Sequence, residues 1–160
     1  MALIESAYRG ESSRAGWTTE ADLLSGPRTD DLEVRGLIEG MSTRFVLAEA
    51  SATGTLLGCV LVKDERDCAY VGMFSVVPTE QAQGLGRALL TEAERIARDE
   101  LGRVVVRMTV IAQRSELLAW YLRRGYVLTG KREPFPYAQL SAGDPLRDDL
   151  VFEVLEKRIA

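Results

Sequence analysis

Val76-Val77-Pro78-Thr79-Glu80-Gln81-Ala82-Gln83-Gly84-Leu85-Gly86-Arg87-Ala88-Leu89-Leu90 is where the chain changes period. Upstream, residues 69–77 read as a strand stopped by Pro78, which has no N–H for a sheet ladder. Downstream, Leu85, Ala88, Leu89, Glu92, Ala93, Ile96, Ala97 and Leu101 fall on one helical face, with Glu92 its polar member. Arg87, Glu94, Arg95, Arg98 and Asp99 fall mostly on the other face. Gly102 reads as the C-cap, and residues 103–111, with Val104-Val105-Val106, as a buried strand. Strand, crossover helix and strand make a parallel βαβ unit in the middle of the chain.

Outward from this unit the pattern predicts an α/β domain with a mixed, mostly antiparallel sheet. Residues 2–8 form a short helix, and Thr29 is the expected N-cap of a second helix reaching Ile38. Residues 44–51, 55–63 and 69–77, joined by tight turns, form an antiparallel meander. With its second hairpin turning at residues 64–67, Cys59 should face Gly72 and not Cys68, so two structural thiols are expected and no disulfide. Residues 115–124 form another helix, with Leu117, Leu118, Tyr121 and Leu122 on its apolar face and Gly125 as its C-cap. Residues 126–131 and 149–155 are the last strands, and the loop at 132–148 is long enough to serve function.

A chain of 160 residues is one ordinary domain. The 46% apolar and 28% charged residues are the balance of a soluble globular protein, and no stretch approaches a membrane span. The start lacks the marks of a signal peptide, so a cytoplasmic location is expected. The net charge of -4 argues against nucleic acid and suits a cationic partner. The cysteines have no metal spacing, and no metal is expected.

The chemistry gathers at Gln81, Ala82, Gln83, Gly84, Leu85, Gly86 and Arg87. Small residues admit a phosphate close to the backbone, and the free N–H groups of the first helical turn point at it. A lone Gly-x-Gly at a helix start is also what a plain tight turn looks like. The loop lacks the Gly-x-Gly-x-x-Gly of a dinucleotide site and the Gly-Lys-Ser/Thr of a Walker loop.

Val76-Val77-Pro78, Gln81-x-x-Gly84-x-Gly86 and Ala88-Leu89-Leu90 together resemble the acyl-CoA loop of the GNAT N-acetyltransferases. Ala119-Trp120-Tyr121-Leu122-Arg123-Arg124-Gly125-Tyr126 is similar to that family's second signature, a tyrosine four residues before Gly-Phe/Tyr. The resemblance runs from about residue 5 to the end and implies transfer of an acetyl group from acetyl-CoA to a primary amine by direct attack. It assigns Phe74, Val76, Gln81 to Arg87 and Arg114 to the acyl-CoA, with Arg114 standing where family members often carry Asn. It places the pantetheine arm in a gap between splayed strands, with backbone N–H near Val76 polarising the thioester carbonyl. By motif position Tyr121 is the acid for the leaving thiolate, whereas by periodicity alone it is a core tyrosine. The family's usual first strand is absent, so residues 44–51 should lie nearer a sheet edge. Homodimers are common in the family.

The sequence holds no histidine, so the usual neutral-pH base is excluded. Glu20, Glu49 and Glu116, or a water chain ending in bulk solvent, are the candidates for the base; each glutamate by itself reads more as a solvated surface group than as a base, and Glu116 opens the helix that carries Tyr121. Trp17, Glu20 and Phe135 are candidates for the acceptor pocket, the two aromatics equally for covering the core edge. A non-catalytic acyl-CoA sensor, and an acetyltransferase for peptide termini or lysines, are the alternatives to one for small amines.

Overall fold

The computed structural model describes residues 1–139 and 145–159. Helices α1 (Ala2–Tyr8), α2 (Gly10–Ser13) and α3 (Asp31–Glu39) precede the hairpins β1 (Thr43–Glu49), β2 (Leu56–Asp64) and β3 (Ala69–Val76). Then follow α4 (Leu85–Arg95), β4 (Val105–Ile111), α5 (Ser115–Leu122), β5 (Val127–Pro134) and β6 (Val151–Arg158). The six strands form one sheet in the order β1-β2-β3-β4-β6-β5, antiparallel except for β3 and β4. This is the expected mixed α/β architecture.

α4 starts where expected because Gly84 takes φ +89 as its N-cap. It widens into a π turn over Ile96–Glu100 before Gly102 (φ +65) ends it. Leu89, Leu90, Ala93, Ile96 and Ala97 bury against Val60, Val62, Val71, Val106 and Met108 in the main core. Each buried leucine, isoleucine, valine or methionine among them contributes on the order of 1.5–3 kcal/mol.

Glu92, expected on the buried face, is instead turned out and paired with Arg95. Glu94 is the enclosed acid, accepting from Tyr126 Oη at 3.0 Å and Lys157 Nζ at 2.7 Å. The cap of α3 is Asp30, whose carboxylate takes the Glu33 N–H at 2.8 Å, while Thr29 donates to the Glu33 side chain. Val104 (58% exposed) and Leu122 are not buried, since each lies at the open end of its element. β5 runs on to Pro134, shortening the expected loop, whose residues 140–144 lie outside the described part.

The feature that organises the site is a bulge in β3. Asp64 pairs with Ala69 and Leu61 with Gly72, but Cys59 pairs with Ser75, one residue later than a regular hairpin allows. The extra residue sits at Met73, with φ +46. The sequence pattern places Cys59 opposite Gly72; the turn instead closes with Asp64 on Ala69, which brings Leu61 opposite Gly72, and the bulge, which leaves no mark in periodicity, moves Cys59 one residue further to Ser75. Its effect is to reverse which face each side chain takes. Ala69 and Val71 belong to the α4 core, Met73 packs with Ile4, Cys59 and Leu61 under α1, and Phe74 and Val76 return to the α4 side. The thiol of Cys59 (3.7 Å) and the hydroxyl of Ser75 (3.1 Å) both donate to the Met73 carbonyl and hold it. Both cysteines are free and buried.

Candidate active site

β3 and β4 are paired only at Ala69–Val106 and Tyr70–Arg107, and then part. β4 stays paired with β6 from Val105 to Ile111 and β3 with β2 as far as Val76, so the two halves of the sheet splay apart between β3 and β4. Beyond the fork, the Tyr70 and Thr109 hydroxyls bridge the two strands at 2.9 Å. The wedge between the strands leads from the α4 side of the sheet to the α1 side.

At the mouth of the wedge lies the loop of residues 81–87. Ala82 (φ +65) and Gly84 (φ +89) turn the backbone so that successive amides converge. Among the described residues no acceptor takes the N–H of any residue from Ala82 to Arg87; the first helical bond is Ala88 N–H to the Gly84 carbonyl. Nothing lies within 4 Å of where a Gly84 Cβ would be. Exposed, unpaired, converging N–H groups at a helix start suit a phosphate.

The Gln81 side chain has a different task. Its Nε2 donates to the Val76 carbonyl (3.2 Å) and its Oε1 accepts the Trp17 N–H (3.0 Å), tying the N-terminal loop to the end of β3. Gly16 is needed beside it, since a Cβ there would lie 2.5 Å from Gln81 Oε1. Trp17 stacks on Trp120 (6.4 Å between centroids), and Arg124 covers that indole at 3.4 Å. Trp120 also touches Phe74 and the Gly86 backbone. Arg87 is exposed beside Arg123, Arg124 and Lys157, around a depression of about 510 Å³.

Tyr121 is 4% exposed, its ring packed on Phe74, Trp120 and Tyr126. Its hydroxyl has no hydrogen-bond partner among the described residues. Burial is the main reason its pKa rises well above the ordinary phenol value, with Tyr8 adding to the rise and Arg114 opposing it. The phenol is therefore neutral at pH 7 and able to donate.

Arg114 is engaged elsewhere than expected. Its guanidinium donates to Glu20 Oε1 (2.8 Å) and Thr18 Oγ1 (3.0 Å). Glu20, 5% exposed, also pairs with Arg9 at 3.5 Å, making a buried Arg-Glu-Arg triad. Glu20 is thereby closed off as a proton acceptor. Glu116 and Glu49 are exposed. Phe135, 7% exposed, packs with Leu24, Ile111 and Leu150 in a core cluster of its own, so its ring covers core. Tyr8, Arg9 and Arg28, which pack around the triad, went unread in the sequence: one is the last residue of a short helix and two stand in polar loops. Only their shared approach to Glu20 marks them, and that is a tertiary fact.

The profile of the Acetyltransferase (GNAT) family matches residues 8–126. No curated protein matches the chain. Among solved structures, the ribosomal-protein-S18-alanine N-acetyltransferase from Escherichia coli superposes with a TM-score of 0.65 at 17% identity, covering 93% of this chain and 88% of that one. A nourseothricin acetyltransferase gives 0.63 at 23% identity, covering 75% and 67%. The PaiA N-acetyltransferase from Thermoplasma acidophilum, solved with coenzyme A, gives 0.58 at 21%, covering 80% and 68%. At these identities the likeness is one of fold.

Proposed function

Because the chain belongs to the GNAT acetyltransferase family, we propose that its unpaired 82–87 amides hold the pyrophosphate of acetyl-CoA and that the acetyl group passes to a primary amine. The observation that carries this reading is the pairing of that amide nest with an unpartnered Tyr121 hydroxyl across the β3–β4 wedge. Phe74, Val76 and Gly86 form the α4-side wall along which the pantetheine arm would lie. The β3 bulge turns backbone amides toward the wedge, where they polarise the thioester carbonyl. The amine attacks that carbonyl directly, the C–S bond breaks, Tyr121 gives its proton to the departing sulfur, and the proton shed by the acylated nitrogen passes through water to restore the phenol. The ammonium form of the acceptor loses its proton to water, since Glu20 is held by two arginines and Glu49 and Glu116 face solvent.

The same reading takes residues 1–160 as one domain, acting in the cytoplasm as a homodimer. In its support, no helix among the described residues is long and apolar enough to cross a membrane. Among the described residues there is also no cluster of three or more metal-ligating side chains, and none of the roles above calls for a metal.

Acetyl-CoA should raise the melting temperature, by the free energy RT ln(1 + [L]/Kd). Gly84→Glu should abolish that shift, because it puts a carboxylate among the amides and strains a φ of +89. Gly86→Glu should do the same. No shift in the wild type at millimolar acetyl-CoA would refute the proposal.

A further inference from the structure

Tyr8, Arg28, Arg114 and Glu20 come together beside Tyr121, and three groups in this polar cluster lack a protein hydrogen bond. Arg28 is half-buried and lies over the Tyr8 ring, 5.2 Å from its centroid, with Arg114 at 5.5 Å from the same ring. The Arg28 guanidinium makes no hydrogen bond and no ion pair with any described residue. The nearby acids are otherwise engaged: Glu33 accepts from Thr29, Glu5 accepts the backbone N–H of Arg28, and Glu20 holds Arg9 and Arg114. The hydroxyls of Tyr8 and Tyr121 are also unpartnered among the described residues. Burial holds Tyr8 neutral, its pKa pushed up to about 12.

An arginine fork and a neutral phenol side by side, half-buried and without protein hydrogen bonds, keep their donors open to a ligand. They are donors only toward an anion. A guanidinium meets a carboxylate bidentately, and a phenol adds a third bond. Arg9, Arg28 and Arg114 stand among Glu5, Glu20 and Glu33, so the cluster is close to neutral, and it is the unbonded guanidinium rather than a net charge that favours a carboxylate. Resting on the acetyltransferase reading above, we propose that the acceptor is a small amine bearing a carboxylate, an amino acid or a close analogue. Arg28 and Tyr8 grip its carboxylate while its amine faces Tyr121 and the thioester.

The test measures CoA thiol release with the twenty standard L-amino acids, their carboxamides and spermidine. The amide keeps the amine and side chain and removes only the negative charge. At least one free acid should exceed its amide at least tenfold in kcat/KM. Arg28→Gln should lower kcat/KM for that acid about 10- to 100-fold, as expected for hydrogen bonds to a charged group, and leave the amide within twofold. Arg28→Lys should fall between. The melting shift given by acetyl-CoA, unchanged in both variants, shows that fold and cofactor loop are intact.

Amides or spermidine used as well as the acids, or an Arg28→Gln effect equal on acid and amide, would overturn the proposal. So would the finding that no amino acid either reacts or raises the melting temperature of the CoA-saturated protein. Absence of any acetyl-CoA shift is a separate result that strikes the acetyltransferase reading. The amino-acid melting shifts, wild type against Arg28→Gln, then still decide the carboxylate site.

Discussion

Replacing Tyr121 by phenylalanine separates the catalytic from the packing role of this side chain. The ring contacts with Phe74, Trp120 and Tyr126 (6.3, 5.0 and 5.7 Å between centroids) survive the change. The hydroxyl has no protein hydrogen bond to lose among the described residues. Because that hydroxyl is not among the fully buried polar atoms, it keeps contact with solvent and its removal should change stability by no more than about 0.5 kcal/mol. Stability should therefore hold. At roughly 2–4 °C per kcal/mol for a chain of this size, the melting temperature should stay close to that of the wild type. The rate should behave differently. A general acid is worth about 10²–10⁴-fold, or roughly 2.7–5.4 kcal/mol of barrier. That loss should appear in kcat, with the KM for acetyl-CoA little changed. The assay is CoA release with a saturating acceptor, alongside calorimetric melting. The pH profile adds a check. A phenol whose pKa is raised keeps its proton above pH 10, so wild-type kcat should show no falling limb up to that pH. A fall in kcat below threefold, or a drop in melting temperature that matches the lost activity, would refute the assignment and make Tyr121 a core residue.

Glu20→Gln should destabilise the protein by about 3–5 kcal/mol, because it leaves Arg9 and Arg114 buried without their shared carboxylate; urea unfolding measures this, and a loss under 1 kcal/mol would show that the triad is not needed for the fold. Alkaline pH should unfold the chain cooperatively. Tyr8, Tyr121 and Tyr126 all have raised pKa values in the fold, so their stabilising contribution is intact below pH 10. It is lost as pH rises, by about 1.4 kcal/mol per unit for each phenol between pH 10 and 12. A urea midpoint equal at pH 9 and pH 11 would contradict this.

The sequence by itself determined the βαβ unit, the glycine turn at residues 81–87 and the place of Tyr121 on α5, because each rests on local causes. Pro78 stops a strand, Gly84 supplies a left-handed φ that other residues resist, and a 3.6-residue period gives α4 one apolar face. Both glycine-ended helices were legible for the same reason. Tertiary structure alone decided the rest. The β3 bulge at Met73 is invisible to an alternating pattern, yet it sets which face Phe74 and Val76 take, just beyond the point where β3 and β4 part. Glu94 lies inside and Glu92 outside because Lys157 and Tyr126 come from distant segments. The polar cluster proposed to meet the acceptor brings together Tyr8, Arg28 and Arg114, from separate parts of the chain, around a Glu20 already occupied by two arginines. A charged residue in a polar loop reads as solvated until the fold shows what it faces, since burial and pairing of charge depend on neighbours that only the folded chain supplies.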